Sequence, residues 1–182
     1  ALFTDLLQAL GSPPGLPEAL TPVQRCVRLP TTPPWTVLPV RARNAADSNC
    51  AVEAYWQLEP NSDHLSALVS LLEHIMFEPL FDSLRTKQQL GYSVSCSARN
   101  SWQVLGFAIT VVSATHGPAA IEGSIRAFLE EFVGSLERMD EAEFRKNVAA
   151  CAANRQMDDH NLLEEALRYF SEVATEQYVF DR

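Results

Sequence analysis

The order of periodicities predicts an α+β domain of two layers, a mostly antiparallel sheet with helices packed on one face. Three observations carry that expectation. Strand-like alternation occurs at 50–59 and again, as a pair, at 92–113; a long stretch of 3.6-residue apolar period separates them; three further helical stretches close the chain. Strands, then a helix, then a hairpin, then several helices imply helices covering one face of a mostly antiparallel sheet.

Ala1–Leu10 reads as a short amphipathic helix, and the Gly-Ser-Pro-Pro-Gly-Leu-Pro that follows cannot continue it. Residues 1–20 are therefore taken as lead-in and 21–182 as the domain. Gln24–Leu29 and Trp35–Arg43 are strand candidates on either side of a proline-rich join, with Pro39 restricting the second to an edge or a bulge. Asn44–Asn49 is a polar turn cluster. In Cys50–Glu59 the residues Cys50, Val52, Ala54, Trp56 and Leu58 alternate with Ala51, Glu53, Tyr55, Gln57 and Glu59, the signature of a sheet wet on one side.

The stretch Asn61–Tyr92 organises the rest. Leu65, Leu68, Val69, Leu72, Ile75 and Met76 share one helical face, and Asn61 or Ser62 is placed to cap it. Pro79 lacks an N–H and crowds the preceding turn, which predicts a kink or break near Glu78, with Leu80, Phe81 and Leu84 continuing the apolar face. Arg85 and Lys87 load cations on the last turn, and Gly91 is expected to end the helix in the left-handed conformation.

Tyr92–Ala98 and Gln103–Ser113 then read as a hairpin joined through Arg99–Trp102. Pro118 opens a helix with the stripe Ile121, Ile125, Phe128, Leu129, Phe132, Val133 and Leu136. Asp140 with Glu143 forms a capping-box pattern for a helix carrying Phe144 and Val148. Asn161 caps a last one, whose Leu163, Leu167, Phe170 and Ala174 are expected to face inward.

Composition excludes several functions. A formal net charge of −9 argues against sequence-independent nucleic-acid binding and against anionic membrane surfaces. No apolar run approaches the roughly 20 residues that cross a bilayer. Cys26, Cys50, Cys96 and Cys151 are scattered without a paired spacing, which favours free thiols and leans toward the cytoplasm.

Candidate chemistry is sparse. A helical zinc peptidase site needs two histidines and a glutamate, but the frame here is Ser70-Leu71-Leu72-Glu73-His74, one ligand short, so no metal site and no catalytic residue is assigned to this chain. His64, His116 and His160 stand alone. Arg85 and Tyr92 put a planar cation and a phenol at the ends of one turn, suited to gripping a peptide carbonyl or a developing oxyanion. Spacing alone leaves the plainer account open, in which Arg85 complements the helix dipole and Tyr92 packs.

Three blocks shift that balance: Asn49–Gln57, the run Glu78-Pro79-Leu80-Phe81-Asp82-Ser83-Leu84-Arg85-Thr86-Lys87-Gln88-Gln89-Leu90-Gly91-Tyr92, and Gln177–Arg182. Together they resemble the fourth, C-terminal domain of the insulin-degrading enzyme and nardilysin group of inverted-motif zinc metallopeptidases, family M16. The resemblance implies four homologous α+β domains in two halves that enclose a peptide substrate, with zinc and its HxxEH site in the first domain. It implies that Arg85 and Tyr92 contact substrate, that the partners are peptide and the other M16 domains, and that zinc is a cofactor of the parent enzyme bound outside this chain. It also implies a domain that continues past Arg182, so the chain is expected to be a fragment that cleaves nothing by itself. A lysine-rich loop tied to anion activation in such enzymes has no counterpart, Met157–Asn161 being acidic, and Leu80 stands where a cysteine sometimes follows Glu-Pro. The alternative is an inactive M16-like domain retained as a peptide- or protein-binding scaffold.

Overall fold

A computed structural model describes residues 2–9, 11, 17, 25–30, 36–44, 46–157, 159–175, 178 and 180. Its elements are α1 (Leu2–Ala9), β1 (Cys50–Pro60), α2 (Asp63–Leu80), a π-helical segment (Phe81–Lys87), β2 (Ser93–Ser101), β3 (Val104–Ser113), α3 (Pro118–Glu137), α4 (Glu141–Arg155) and α5 (Leu162–Ala174). The expected domain boundary near residue 20 lies outside the described residues, as do most of the linker and Gln177 in the last block.

The sheet has the order β1-β3-β2 and both pairings are antiparallel. β3 is central and nearly all buried, while β2 buries the alternate residues Val94 and Cys96 and β1 buries Ala54. Val52 and Ala54 of β1, Val94 and Cys96 of β2, and Phe107, Ile109 and Val111 of β3 line one face. Against that face pack Val69, Met76 and Leu80 of α2, Leu84 of the π segment, and Ile121, Ile125, Phe128 and Phe132 of α3. α2 lies over β2 and α3 over β1. The predicted two-layer α+β arrangement is the one observed.

Several expectations need correction. Neither strand candidate before residue 44 is a strand: residues 25–29 and 36–43 pair with nothing, and Gln24 and Trp35 lie outside the described residues. The first runs beside β1, yet it is held by a side chain rather than a ladder. The Gln57 carboxamide accepts from the Leu29 N–H at 2.8 Å and donates to the Val27 carbonyl at 2.9 Å. In the second, Pro39 can donate to no ladder.

α2 does not break at Pro79. It runs to Leu80 and then widens into π geometry, shown by the i→i+5 bond from the Gln88 N–H to the Ser83 carbonyl at 3.1 Å. Proline removes one i→i−4 bond and crowds the turn before it, and the bulged turn follows directly in the chain. Phe81 consequently leaves the core and stacks on exposed Phe77, with ring centroids 6.4 Å apart. Leu68 and Val133 also face outward. The left-handed residue that ends the helix is Gln89, at φ 50°, not Gly91. Gly91 is required for a different reason: a Cβ there would overlap the Val112 carbonyl.

The hairpin is present, but β2 runs on to Ser101 rather than ending at Ala98, and β3 begins at Val104 rather than Gln103. They are joined by the two-residue turn Trp102–Gln103, both at positive φ (49° and 67°). Ser62 caps α2 by accepting from the Leu65 N–H at 3.2 Å, Asp140 caps α4 and Asn161 caps α5. The inward face expected of α5 is reversed: Leu163, Leu167, Phe170 and Ala174 are exposed, whereas Glu172 is buried.

Candidate functional site

The π segment and the start of β2 carry the two residues singled out by sequence. Leu84, fully buried, pins the π segment to the core, and its neighbour Arg85 is half-buried. Leu84 also accepts from the Leu90 N–H at 2.9 Å, which folds the chain back toward the sheet. Gly91 then passes tightly under Val112, and the Tyr92 N–H donates to the Val112 carbonyl at 3.0 Å. The backbone of Tyr92 is thereby fixed while its ring stays exposed.

Among the described residues Arg85 has no counter-ion. Lys87 takes Asp82 instead, at 2.8 Å, and the carboxylate raises the lysine pKa by hydrogen bond and charge. Among the described residues no hydrogen bond, ion pair or ring contact engages the side chain of Arg85 or of Tyr92. The two are not joined to one another; they flank a common turn, each with its donors uncommitted. A guanidinium held half-buried without an anion is poised to bind an acceptor, and a phenol supplies one further donor.

The degenerate metal frame is engaged otherwise. Ser70 Oγ accepts from the Arg155 guanidinium at 2.6 Å, and Glu73 Oε2 accepts from the Ala98 N–H at 2.9 Å. Among the described residues no group of three His, Cys, Asp or Glu could hold a metal ion. These residues do not fit zinc. They line an open cleft of about 1070 Å³ between α2 and α4, with His74, Cys151 and Asn147 among its other walls. Sequence reasoning missed Arg155 and the Glu73–Ala98 contact because the partners lie 85 and 25 residues apart and no local motif marks them.

On the open face of the sheet, Arg99 pairs both Glu53 oxygens at 2.7 and 2.6 Å and lies 5.5 Å above the Tyr55 ring. Glycine at 106 leaves room for that ring, since any side chain there would overlap it. The pair raises the Arg99 pKa, chiefly through the Glu53 hydrogen bond. It ties β1 to β2 across β3 on the exposed surface, an arrangement worth ~1 kcal/mol or less.

Residues 71–170 match the family model described as "PQQ synthase PqqF-like, C-terminal lobe domain 4". The chain belongs to that family. It is a C-terminal domain of M16 type, in agreement with the resemblance carried by its own motifs. Its sequence is 40% identical to nardilysin of Rattus norvegicus over 145 residues, covering 79% of this chain and 12% of the relative. It is 32% identical to insulin-degrading enzyme of Homo sapiens over 177 residues, covering 97% of this chain and 17% of the relative. The crystal structure of pitrilysin superposes with a TM-score of 0.63 at 24% identity, over 75% of this chain and 15% of that one. The chain thus spans less than a fifth of the length of these relatives. Its M16 homologues are metallopeptidases, and among the described residues no helix is long and apolar enough to cross a membrane.

Proposed function

We propose that this chain is a non-zinc-binding C-terminal-half domain of an insulinase-type zinc metalloendopeptidase, contributing to the wall of its substrate chamber. Arg85 is the clamp on a peptide carbonyl or carboxylate and Tyr92 the donor to the tetrahedral oxyanion. The metal belongs to another domain of the parent protein. The observation that carries this reading is the half-buried, unpaired guanidinium of Arg85 on a turn that also presents an exposed phenol. Burying a cation partway without an anion costs stability, and a ligand acceptor that completes the pair accounts for that cost.

The test is steady-state kinetics of the full-length protein on a fluorogenic peptide, with and without a chelator. Arg85→Ala is expected to lower kcat/KM by roughly ten- to a thousandfold and Tyr92→Phe by a smaller factor, with the fold intact. Unchanged kinetics in a folded Arg85 variant would reduce that residue to helix-dipole complement. A full-length protein that holds no zinc and cleaves nothing leaves the peptide-binding scaffold as the reading.

A further inference from the structure

β2 forms one edge of the sheet. Ser101 and Val104 close a two-residue turn, so they and every second residue back along β2 form the bonded pairs with β3. The backbone groups of Val94, Cys96, Ala98 and Asn100 therefore point away from the sheet. Val94 and Cys96 are buried, whereas Ala98 and Asn100 are exposed. The accessible edge is short. Its Ala98 N–H already holds an acceptor from outside the sheet, the Glu73 carboxylate of α2 at 2.9 Å. Glu73 also forms part of the wall of the cleft between α2 and α4.

We propose that the Ala98–Asn100 edge of β2 accepts an extended peptide as an added strand, and that Glu73 is the gate the peptide displaces. A peptide carbonyl and a carboxylate oxygen make the same demand on the Ala98 N–H, so the existing contact marks where the first rung forms. The Ala98 carbonyl and the Asn100 N–H, which no other described residue engages from the outer side, supply the next acceptor and donor. Peptide side chains of one parity then meet α2 beside Glu73, which also lines the cleft. This is recognition by backbone, with that part of α2 as its selective element. It rests on the reading of the chain as peptide-handling, and it concerns the Ala98–Asn100 end of β2 rather than Arg85 and Tyr92.

The experiment measures equilibrium binding of a labelled octapeptide of alternating threonine and lysine to the full-length protein in chelator. Threonine favours extension, and lysine suits a chain of net charge −9. In a single-site N-methyl scan of the peptide, affinity should fall at two positions separated by one residue, those whose N–H groups meet the Ala98 and Asn100 carbonyls, by about two- to tenfold each, the worth of one net hydrogen bond. Glu73→Ala, which removes the competing acceptor, should tighten binding by a similar factor. Ala98→Pro, which deletes an N–H that no ladder bond uses, should weaken it. Opposite signs for these two variants, with unchanged Tm for Glu73→Ala, are the signature of the gated edge.

Absence of binding, or losses on N-methylation without alternation, overturns the proposal. So does a Glu73→Ala protein that binds no better but self-associates in sedimentation, because Glu73 then only blunts an aggregation-prone edge. If binding fails to alternate while Arg85→Ala still slows cleavage, the edge fails and the chamber reading stands; the reverse pattern retires Arg85 and keeps the edge.

Discussion

Gln89 and Gly91 sit two residues apart, and each occupies the position a casual reading would give the other. Gln89 holds φ 50°, a conformation that costs a non-glycine residue about 1 kcal/mol. Gly91 has no positive φ but needs the space that Val112 leaves it. Two substitutions should therefore act in opposite directions. Gln89→Gly should stabilise the domain by up to about 1 kcal/mol, and Gly91→Ala should destabilise it by roughly 1–3 kcal/mol through the backbone overlap. Urea unfolding of both variants is the check. A destabilised Gln89→Gly would mean its side chain does more than tolerate the cap. The sequence revealed that the helix ends near Gly91 but not why, because the close approach to Val112 is a contact across 21 residues that no local pattern encodes.

At the scale of elements, α2 and the π segment show how far periodicity carries. The apolar face, the Ser62 cap and the importance of Pro79 were all readable. The response to Pro79 was not, since a helix relieved of one hydrogen bond can break, kink or widen, and the choice depends on what Leu80 and Leu84 pack against. Pro79→Ala restores the missing N–H and should raise stability by about 1–3 kcal/mol. If the widened turn sets the aim of Arg85, the same variant should lose kcat/KM for peptide in the full-length protein. Thermal melts and peptide cleavage measured together test both halves, and a more stable variant with full activity would separate the turn from the site. The hairpin was placed but its turn was not, because Trp102–Gln103 lacks the asparagine or glycine that normally announces two consecutive positive φ values. α5 shows the opposite failure. Its stripe was read correctly as apolar and wrongly as inward, because a period identifies a face without saying which way it is turned.

For the molecule as a whole, the layer architecture was legible from the order of periodicities, and the core residues of β1, β3 and α3 followed from phase alone. The long-range polar contacts that link elements were not, because each joins side chains distant in sequence. One whole-molecule property follows from Cys96, buried beneath α2 with burial first and the Glu73 charge second raising its thiol from 9.0 to about 11. Unfolding exposes a thiol of ordinary acidity, so the folded state binds this proton more tightly. The stabilisation it gives is complete below pH 9.0 and is lost as the pH rises toward about 11. Denaturation midpoints should accordingly fall across that interval in the native protein and fall less in Cys96→Ala. In the folded protein Cys96 should also be the slowest of the four thiols to alkylate at pH 8, and rapid labelling would contradict its burial.

Ahead of β1, residues 27–29 are held to it by the carboxamide of Gln57. Two hydrogen bonds from Gln57 fasten residues 27–29 without taking any rung from the sheet. A side-chain latch of that kind takes no part in strand register or in the core. The approach to this domain is thereby free to change in evolution at little structural cost, provided one glutamine keeps its grip.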